Sequence, residues 1–181
     1  MNATPSLITP RLRLRHFTDA DLEVYHRVIY GDADVMKTLP GGVPRPLESV
    51  EWMLDWHARH WAEHGVGFFA LELRDSGAFI GHCGVFIWGL PSYELGYAIG
   101  RAHWGKGYAA EAGRACLGHA FEALPIDQID AVTLPGNIAS QKVLLRLGFQ
   151  PVGEREAYNS LLPAFTQTRT AFFRDSAAGE T

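Results

Sequence analysis

The chain has 181 residues, enough for one domain with a sizeable core, and its 47% hydrophobic and 20% charged residues are ordinary for a globular protein. Its net charge of -4 argues against nonspecific nucleic-acid binding, which needs a basic face. No apolar run approaches the ~18–20 residues of a membrane helix, and no secretory signal opens the chain. Cys83 and Cys116 stand in apolar contexts that favour buried free thiols, so we expect a cytoplasmic protein.

The first third of the chain predicts a strand, a helix, a linker and a second helix. Residues 11–15 alternate between arginine and leucine, which predicts a strand. Thr18 and Asp21 have capping-box spacing for a helix that ends near Gly31. Residues 32–46 are rich in proline and glycine and predict a linker, and the next helix covers 47–63.

The second helix carries a stripe of rings, Trp52, Trp56 and His60, at a spacing of four residues. Such a stripe can form the wall of a ligand pocket. Plain core packing is the more common outcome for aromatic residues at helical spacing. The sequence leaves both interpretations open.

The rest of the chain predicts strands and helices in alternation. A hairpin of strands 66–73 and 78–88 is followed by a strand at 93–99, a glycine loop at 103–107 and a helix at 108–123. A strand at 126–133, a helix from Asn137 to Gly148 and strands at 149–158 and 165–173 complete the pattern. Residues 174–181 are polar and predict a frayed end.

The glycine loop between strand 93–99 and helix 108–123 predicts an anion site. The first amides of a helix have no internal partner, and the helix dipole favours negative charge there. Gly105 and Gly107 permit a tight, uncovered turn, so a phosphate is the natural ligand. The loop is not a Walker A motif, because Gly107 follows Lys106 where that motif requires serine or threonine.

A second stretch, Asn-Ile-Ala-Ser at 137–140 with Gly-Phe at 148–149, follows about thirty residues on. With Trp-Gly-Lys-Gly-Tyr-Ala and Glu-Ala within 104–112, it resembles the GCN5-related N-acetyltransferase (GNAT) superfamily. The likeness is greatest to the RimJ/RimL-type ribosomal-protein N-terminal acetyltransferase branch, whose opening pattern residues 9–15 also match. It covers roughly residues 8–173.

The resemblance implies an α/β (α+β) fold with a mixed, mainly antiparallel sheet of six or seven strands. Helices would lie on both faces, and a central split would separate two neighbouring strands. One N-acetyltransferase domain would span residues 1–181, with its core at about 8–173.

The resemblance also implies acetyl-CoA as co-substrate, without a metal. Backbone amides of the glycine loop would hold its pyrophosphate, and the end of the preceding strand would pair with its pantetheine arm. Asn137 would cap its helix and also bond the pantetheine arm. Lys106 would either add charge at the rim or simply be solvated. The cofactor-binding residues expected on this basis are Tyr97, Ala98, Ile99, Trp104, Gly105, Lys106, Gly107, Tyr108, Ala109 and Asn137.

Two catalytic residues are expected from the same resemblance. Many relatives protonate the leaving thiolate with a tyrosine at the place of Leu144, which has no proton to give, so Ser140 is the expected donor. Its alternative is a helix serine with no special role. Glu94 is the expected general base, acting directly or through water, with an exposed strand glutamate as the alternative. Glu111 in the first turn of the helix is a candidate structural carboxylate, and His103 is a candidate phosphate contact.

The expected function is transfer of an acetyl group from acetyl-CoA to a primary amine. A protein N-terminal amine is the favoured acceptor, and a small amine of the antibiotic or polyamine type is the alternative. The absence of a tyrosine at position 144 also allows a non-catalytic acetyl-CoA-binding module. Because dimers are common in the family, a homodimer is compatible with the sequence. No nucleic-acid, membrane or metal partner is expected, since His57 and His60 lack a third ligand.

Overall fold

The computed structural model describes residues 6–88, 90 and 92–178. Within these residues one sheet contains eight strands in the order β1-β2-β3-β4-β5-β6-β8-β7. All neighbours are antiparallel except β5 and β6, which are parallel. The mixed, mainly antiparallel sheet is therefore confirmed. The strands are β1 (Leu7–Ile8), β2 (Leu12–Arg15), β3 (Phe68–Leu73), β4 (Phe79–Phe86), β5 (Glu94–Ile99), β6 (Gln128–Val132), β7 (Gln150–Ala157) and β8 (Ser160–Thr168).

The sheet has more strands than the six or seven expected, because residues 7–8, which lie before the first predicted strand, form β1. This strand is short and pairs Leu7 with Leu14 at the sheet edge. The six α-helices among the described residues are α1 (Leu22–Tyr25), α2 (Ala33–Met36), α3 (Leu47–His64), α4 (Tyr108–Ala123), α5 (Ile138–Arg146) and α6 (Arg169–Ala178).

The helical segment after β2 begins as the sequence predicts and then changes pitch. The Thr18 amide donates to Asp21 Oδ2 at 2.8 Å, which confirms the capping interaction. A 3₁₀ turn at Asp19–Asp21 leads into α1, and a π-helical turn at His26–Tyr30 follows it. The predicted linker 32–46 contains the short helix α2, whose first turn is capped by the Asp32 carboxylate.

Helices cover both faces of the sheet, as expected. On β5, Leu95 and Ile99 pack in a core cluster with Leu117 of α4. Ala98 points the other way and packs in a second cluster with Tyr25 and with residues of α3. Successive strand side chains face opposite sides. The two clusters therefore bury the two faces of the same strand.

The prediction of a final strand at 165–173 is wrong at both ends. Strand β8 begins at Ser160 and stops at Thr168, where α6 starts. The aromatic residues 172–173 favour a strand locally, but the Thr168 hydroxyl caps the next turn by accepting from the Ala171 amide at 3.2 Å. Phe172 is buried, with its ring centroid 5.6 Å from that of Phe121. The frayed end predicted at 174–181 is helical to residue 178, and 179–181 lie outside the described residues.

The parallel strands β5 and β6 meet at one end only. Their single register pair joins Glu94 to Asp130, and the Asp130 amide donates to the Tyr93 carbonyl at 2.9 Å. From there towards Ile99 the two strands carry no further pairing. This is the predicted split, and it opens the middle of the sheet beside Glu94.

Candidate active site

The glycine loop adopts the conformation that its sequence predicts. Gly105 and Gly107 have φ values of 72° and 82°, a region that favours glycine. Gly107 is the N-cap of α4, and no side chain caps the helix. The Trp104 indole N–H donates to the Ile99 carbonyl at 2.6 Å and ties the loop to the end of β5. No side chain therefore satisfies the first amides of α4.

Arg11 holds this loop through a set of contacts that the sequence does not predict, and we call this set the clamp. Arg11 Nη1 donates to the Lys106 carbonyl at 2.8 Å, and Arg11 Nε donates to Glu111 Oε2 at 2.6 Å. The guanidinium carbon lies 4.6 Å from the centroid of the Tyr108 ring. The clamp joins residues about a hundred positions apart, so an alternating strand pattern gives no sign of it.

Glu111 belongs to this clamp. Its contacts are those of a structural carboxylate, as one expectation from the sequence states. The Thr9 hydroxyl donates to its Oε1 at 2.6 Å, and the Arg11 amide donates to the same oxygen at 2.9 Å. Burial raises the pKa of Glu111, but the hydrogen bonds from Thr9 and Arg11 outweigh it and hold the pKa below its ordinary value. The carboxylate therefore stays ionised, and both of its oxygens accept hydrogen bonds within the clamp.

A cavity of about 830 Å³ runs from the glycine loop through the split to α3. Of the two charged or titratable residues of the glycine loop, His103 lines this cavity and Lys106 does not. Lys106 does not line it, since its ammonium donates to the Ala102 carbonyl at 3.0 Å. His103 lies on the wall, and burial followed by the charge of Lys106 lowers its pKa. The other predicted site residues all line the cavity: Glu94, Tyr97, Ala98, Ile99, Trp104, Gly105, Gly107, Tyr108, Ala109, Asn137 and Ser140.

Glu94 is a buried carboxylate, so the alternative of an exposed strand glutamate is wrong. Only 3% of the residue is exposed. The Tyr158 hydroxyl lies 3.1 Å and 3.0 Å from its two carboxylate oxygens and donates to them. Burial raises the pKa of Glu94, the Tyr158 hydrogen bond lowers it and the charge of Asp130 raises it, and together they bring it to about 7. The group is therefore poised to exchange a proton near neutral pH.

Asp130 supplies the negative charge next to Glu94 and is itself held ionised. It is 1% exposed, and it accepts from Arg155 Nη1 at 2.6 Å and from the Ser92 hydroxyl at 2.7 Å. Burial raises the pKa of Asp130, but the bonds from Ser92 and Arg155 help to bring it below its ordinary value. The two neighbouring carboxylates thus differ: Asp130 is paired with the cation Arg155 and stays charged, whereas Glu94 accepts from the neutral Tyr158 hydroxyl and has a pKa of about 7.

Ser140 lies in the first turn of α5 and lines the same cavity as Glu94. Its amide donates to Asn137 Oδ1 at 3.0 Å, which confirms the predicted N-cap, and Asn137 Nδ2 donates to the Thr38 carbonyl at 3.1 Å. Ser140 Oγ lies 2.9 Å from the Tyr97 hydroxyl. Burial raises the pKa of Tyr97, so its phenol stays protonated. Leu144 is buried and offers no hydroxyl.

The ring stripe of α3 divides between the two interpretations. Trp52 and Trp56 line the cavity together with Trp88, which follows β4. His60 is instead buried, with one ring nitrogen 2.9 Å from the Val66 carbonyl and the other accepting from the Ile87 amide at 3.1 Å. Ring spacing alone does not distinguish a ring that lines the cavity from a ring that packs in the core, because lining here involves Trp88, which is distant in the sequence.

Across residues 6–88, 90 and 92–178, no group of three or more His, Cys, Asp and Glu side chains could hold a metal ion. None of the helices in that part of the chain has both the length and the apolar character needed to cross a membrane.

Comparison with known proteins agrees with this geometry. The Acetyltransferase (GNAT) domain family matches residues 11–150. YkkB of Bacillus subtilis (strain 168) is 34% identical over 174 residues, covering 88% of this chain and 100% of YkkB. An acetyltransferase structure from Agrobacterium tumefaciens str. C58 has a TM-score of 0.77 at 28% identity, covering 92% of this chain and 96% of the other. Mycobacterium smegmatis RimJ in complex with CoA-disulfide has a TM-score of 0.74 at 25% identity, covering 93% and 89%.

The split sheet, the uncapped helix start and these matches agree on one class of enzyme. The protein is an acetyl-CoA-dependent N-acetyltransferase. More particularly, the chain belongs to the GNAT family of acetyltransferases, and its structural neighbours include ribosomal-protein acetyltransferases of the RimJ and RimL type.

Proposed function

We propose that this protein transfers the acetyl group of acetyl-CoA to a primary amine, with a protein N-terminal amine as the favoured acceptor. One observation carries the proposal. A single cavity contains the glycine loop, the open split and a buried carboxylate whose pKa lies at about 7. A phosphate site, a channel for an extended arm and a proton acceptor are what such a transfer requires.

The residues at the loop fit the pyrophosphate of acetyl-CoA. Amides of Gly105, Lys106, Gly107, Tyr108 and Ala109 would face it, and α4 adds the positive end of its dipole. At Gly105 an added Cβ would meet nothing within 4 Å, so the backbone has open space above it. The arm would pair with Tyr97, Ala98 and Ile99, beside Trp104 and Asn137, in the split. Bound acetyl-CoA supplies an activated acyl group with a thiolate leaving group.

Glu94 is the proposed general base. An amine arrives largely as an ammonium ion at neutral pH and must lose a proton before it can attack. A carboxylate with a pKa of about 7 can take that proton, whereas an exposed carboxylate is too weak a base to hold it. Tyr158 orients both oxygens through its hydroxyl.

Ser140 and Tyr97 are proposed to deliver a proton to the departing thiolate. Their hydroxyls are 2.9 Å apart, and the Tyr97 phenol is protonated because burial raises its pKa. Ser140 Oγ would donate its proton to sulfur and take the proton of the Tyr97 hydroxyl, and the Tyr97 phenolate would regain a proton from solvent when the products leave. The pair replaces the tyrosine that many relatives carry at the place of Leu144.

The name of one structural neighbour supports the acceptor class. That neighbour is RimJ of Mycobacterium smegmatis, and two further structural neighbours are named as ribosomal-protein acetyltransferases. Free, buried thiols at Cys83 and Cys116 support a reducing compartment such as the cytoplasm.

Calorimetric titration with acetyl-CoA, followed by thiol release against peptides and small amines, tests the proposal. We expect binding and thiol release with wild type, and binding without release for the Glu94→Gln variant. Absence of acetyl-CoA binding would refute the assignment of the loop. Binding by wild type without release on any peptide or amine would refute transfer and favour the non-catalytic module.

A further inference from the structure

An unbroken path of aromatic rings leads away from Glu94 along the cavity. On the sheet, Glu94 is the cross-strand partner of Phe86, so their side chains share one face. The ring of Phe86 lies 6.3 Å from that of Trp56, and Trp56 lies 5.0 Å from Trp88. Trp88 meets Trp52 edge to face at 5.6 Å. We name the four rings Phe86, Trp56, Trp88 and Trp52 the aromatic wall.

The outer end of the aromatic wall is more open than a packed core. Trp52 is 48% exposed and Trp88 is 49% exposed, and both line the cavity. Large aromatic surfaces that remain open in contact with each other mark ligand-binding positions more than structural ones. The wall therefore provides a surface for an apolar group held next to the carboxylate.

The charges around the cavity limit what that group can carry. Among the described residues that line it, Glu94 is the only carboxylate, and Arg45, Lys142 and Arg146 are cationic. One carboxylate can pair one ammonium ion. A polyamine or an aminoglycoside would bring further ammonium ions without partners and near like charge.

We propose that the acceptor carries one positive charge and places a large apolar or aromatic group against the aromatic wall. Either a peptide N-terminus whose first residue is bulky and apolar or a free arylalkyl amine has this chemistry. The inference rests on the proposed function and narrows it. Burial of one large apolar side chain predicts a preference of about 10- to 100-fold in kcat/KM over a methyl group.

Thiol release at saturating acetyl-CoA tests this on five acceptors: peptides that differ only in a first residue of Phe, Leu or Ala, then phenethylamine and spermidine. We expect the Phe and Leu peptides to exceed the Ala peptide by about 10- to 100-fold, with spermidine slowest. Phenethylamine separates the two sources, since it would match the Phe peptide only if no peptide backbone is recognised. Equal rates for Ala and Phe peptides, or fastest release with spermidine, would overturn the proposal.

A binding measurement separates this inference from the transfer reaction. Calorimetry with the same peptides, in the presence of coenzyme A, should show tighter binding of the Phe peptide by about tenfold or more. If the Phe peptide binds tightly but releases no thiol, transfer is refuted and the acceptor preference stands. If Phe and Ala peptides bind equally, the acceptor preference is refuted whatever the rate of transfer.

Replacing one residue of the aromatic wall tests whether the wall causes the preference for a bulky apolar acceptor. Trp52→Ala removes an exposed ring from α3 and should reduce the Phe-to-Ala ratio of kcat/KM about tenfold, with Trp52→Phe recovering part of it. Phe173→Ala removes a ring of similar exposure on α6, outside the cavity lining, and should leave the ratio unchanged. An unaltered ratio in Trp52→Ala would overturn the role of the wall.

Discussion

Replacing Glu94 by glutamine should make the protein more stable above neutral pH while it removes activity. Burial holds the pKa of Glu94 at about 7, above its ordinary 4.5. The folded protein therefore keeps a proton that the unfolded chain gives up between these values, and folding loses stability as pH rises through that window. Above pH 7 the loss reaches about 3 kcal/mol, from a pKa difference of roughly 2.5 at 1.36 kcal/mol each.

Glutamine cannot ionise, yet it retains an oxygen that accepts from Tyr158. The variant should therefore gain up to about 3 kcal/mol at pH 8, or roughly 6–12 °C in Tm for a chain of this length, and nothing near pH 4, where both forms are neutral. Turnover should fall about 10²- to 10⁴-fold through loss of the base. Thermal denaturation at both pH values and thiol release measure the two effects.

Glu154→Gln is the matched control, because Glu154 is an exposed residue of β7 outside the cavity lining. It should change neither turnover nor the pH dependence of Tm. The reasoning is refuted if Glu94→Gln gains equal stability at both pH values, or if its turnover stays within about twofold of wild type.

Tyr158→Phe removes the hydroxyl that favours the carboxylate, so the pKa of Glu94 should rise and the midpoint of the pH–rate limb should move up by about one pH unit. Ser140→Ala and Tyr97→Phe should each lower turnover about 10- to 100-fold, and the double variant no more than either alone, with acetyl-CoA affinity within about twofold of wild type. Gly107→Glu should weaken acetyl-CoA binding at least about 100-fold in calorimetry, since it strains a φ of 82° and places negative charge at the phosphate site.

Each of these predictions has an outcome that contradicts it. A pH–rate limb that stays in place or moves to lower pH in Tyr158→Phe would show that the hydroxyl does not set the titration. Independent, multiplying losses in the Ser140 and Tyr97 variants would separate the two hydroxyls. Unaltered acetyl-CoA affinity in Gly107→Glu would remove the loop from the cofactor site.

Local signals in the sequence predict the elements around the glycine loop and the N-terminus of α5 well. The helix predicted at 108–123 is the helix α4 observed, because two glycines and a run of helix formers define its start without outside help. Asn137, which stands before an apolar periodic segment, is likewise both the predicted and the observed N-cap of α5. Features whose cause lies within a few residues are readable from one sequence.

The acceptor half depended on contacts between distant parts of the chain. The pKa of Glu94 is raised by burial and by the charge of Asp130 on the neighbouring strand β6, and it is lowered by the hydroxyl of Tyr158, which is 64 residues further along. The aromatic wall likewise joins Trp52 of α3 to Trp88 after β4. No periodicity or motif in the sequence indicates such pairs. The sequence therefore predicts Glu94 as a general base but does not distinguish it from an exposed strand residue.

The same limit explains the error at the end of the chain. Residues 169–173 have the apolar, aromatic content of a strand, and a strand was predicted. Arg169 instead donates to the Ile126 carbonyl at 3.0 Å, and Phe172 packs near Phe121, both beyond the reach of local pattern. Tertiary contacts and the Thr168 cap decided the element.

The turn between β7 and β8 gives the enzyme a means of adjusting its working pH without rebuilding its sheet. Its two residues, Tyr158 and Asn159, both have positive φ, at 52° and 59°, as type I′ hairpins require. Asparagine tolerates this conformation readily, while tyrosine does so at a cost. Because the Tyr158 hydroxyl lowers the pKa of Glu94, a substitution at Asn159 that relaxes the turn and draws this hydroxyl away would raise that pKa and adapt the enzyme to more alkaline surroundings from a surface position.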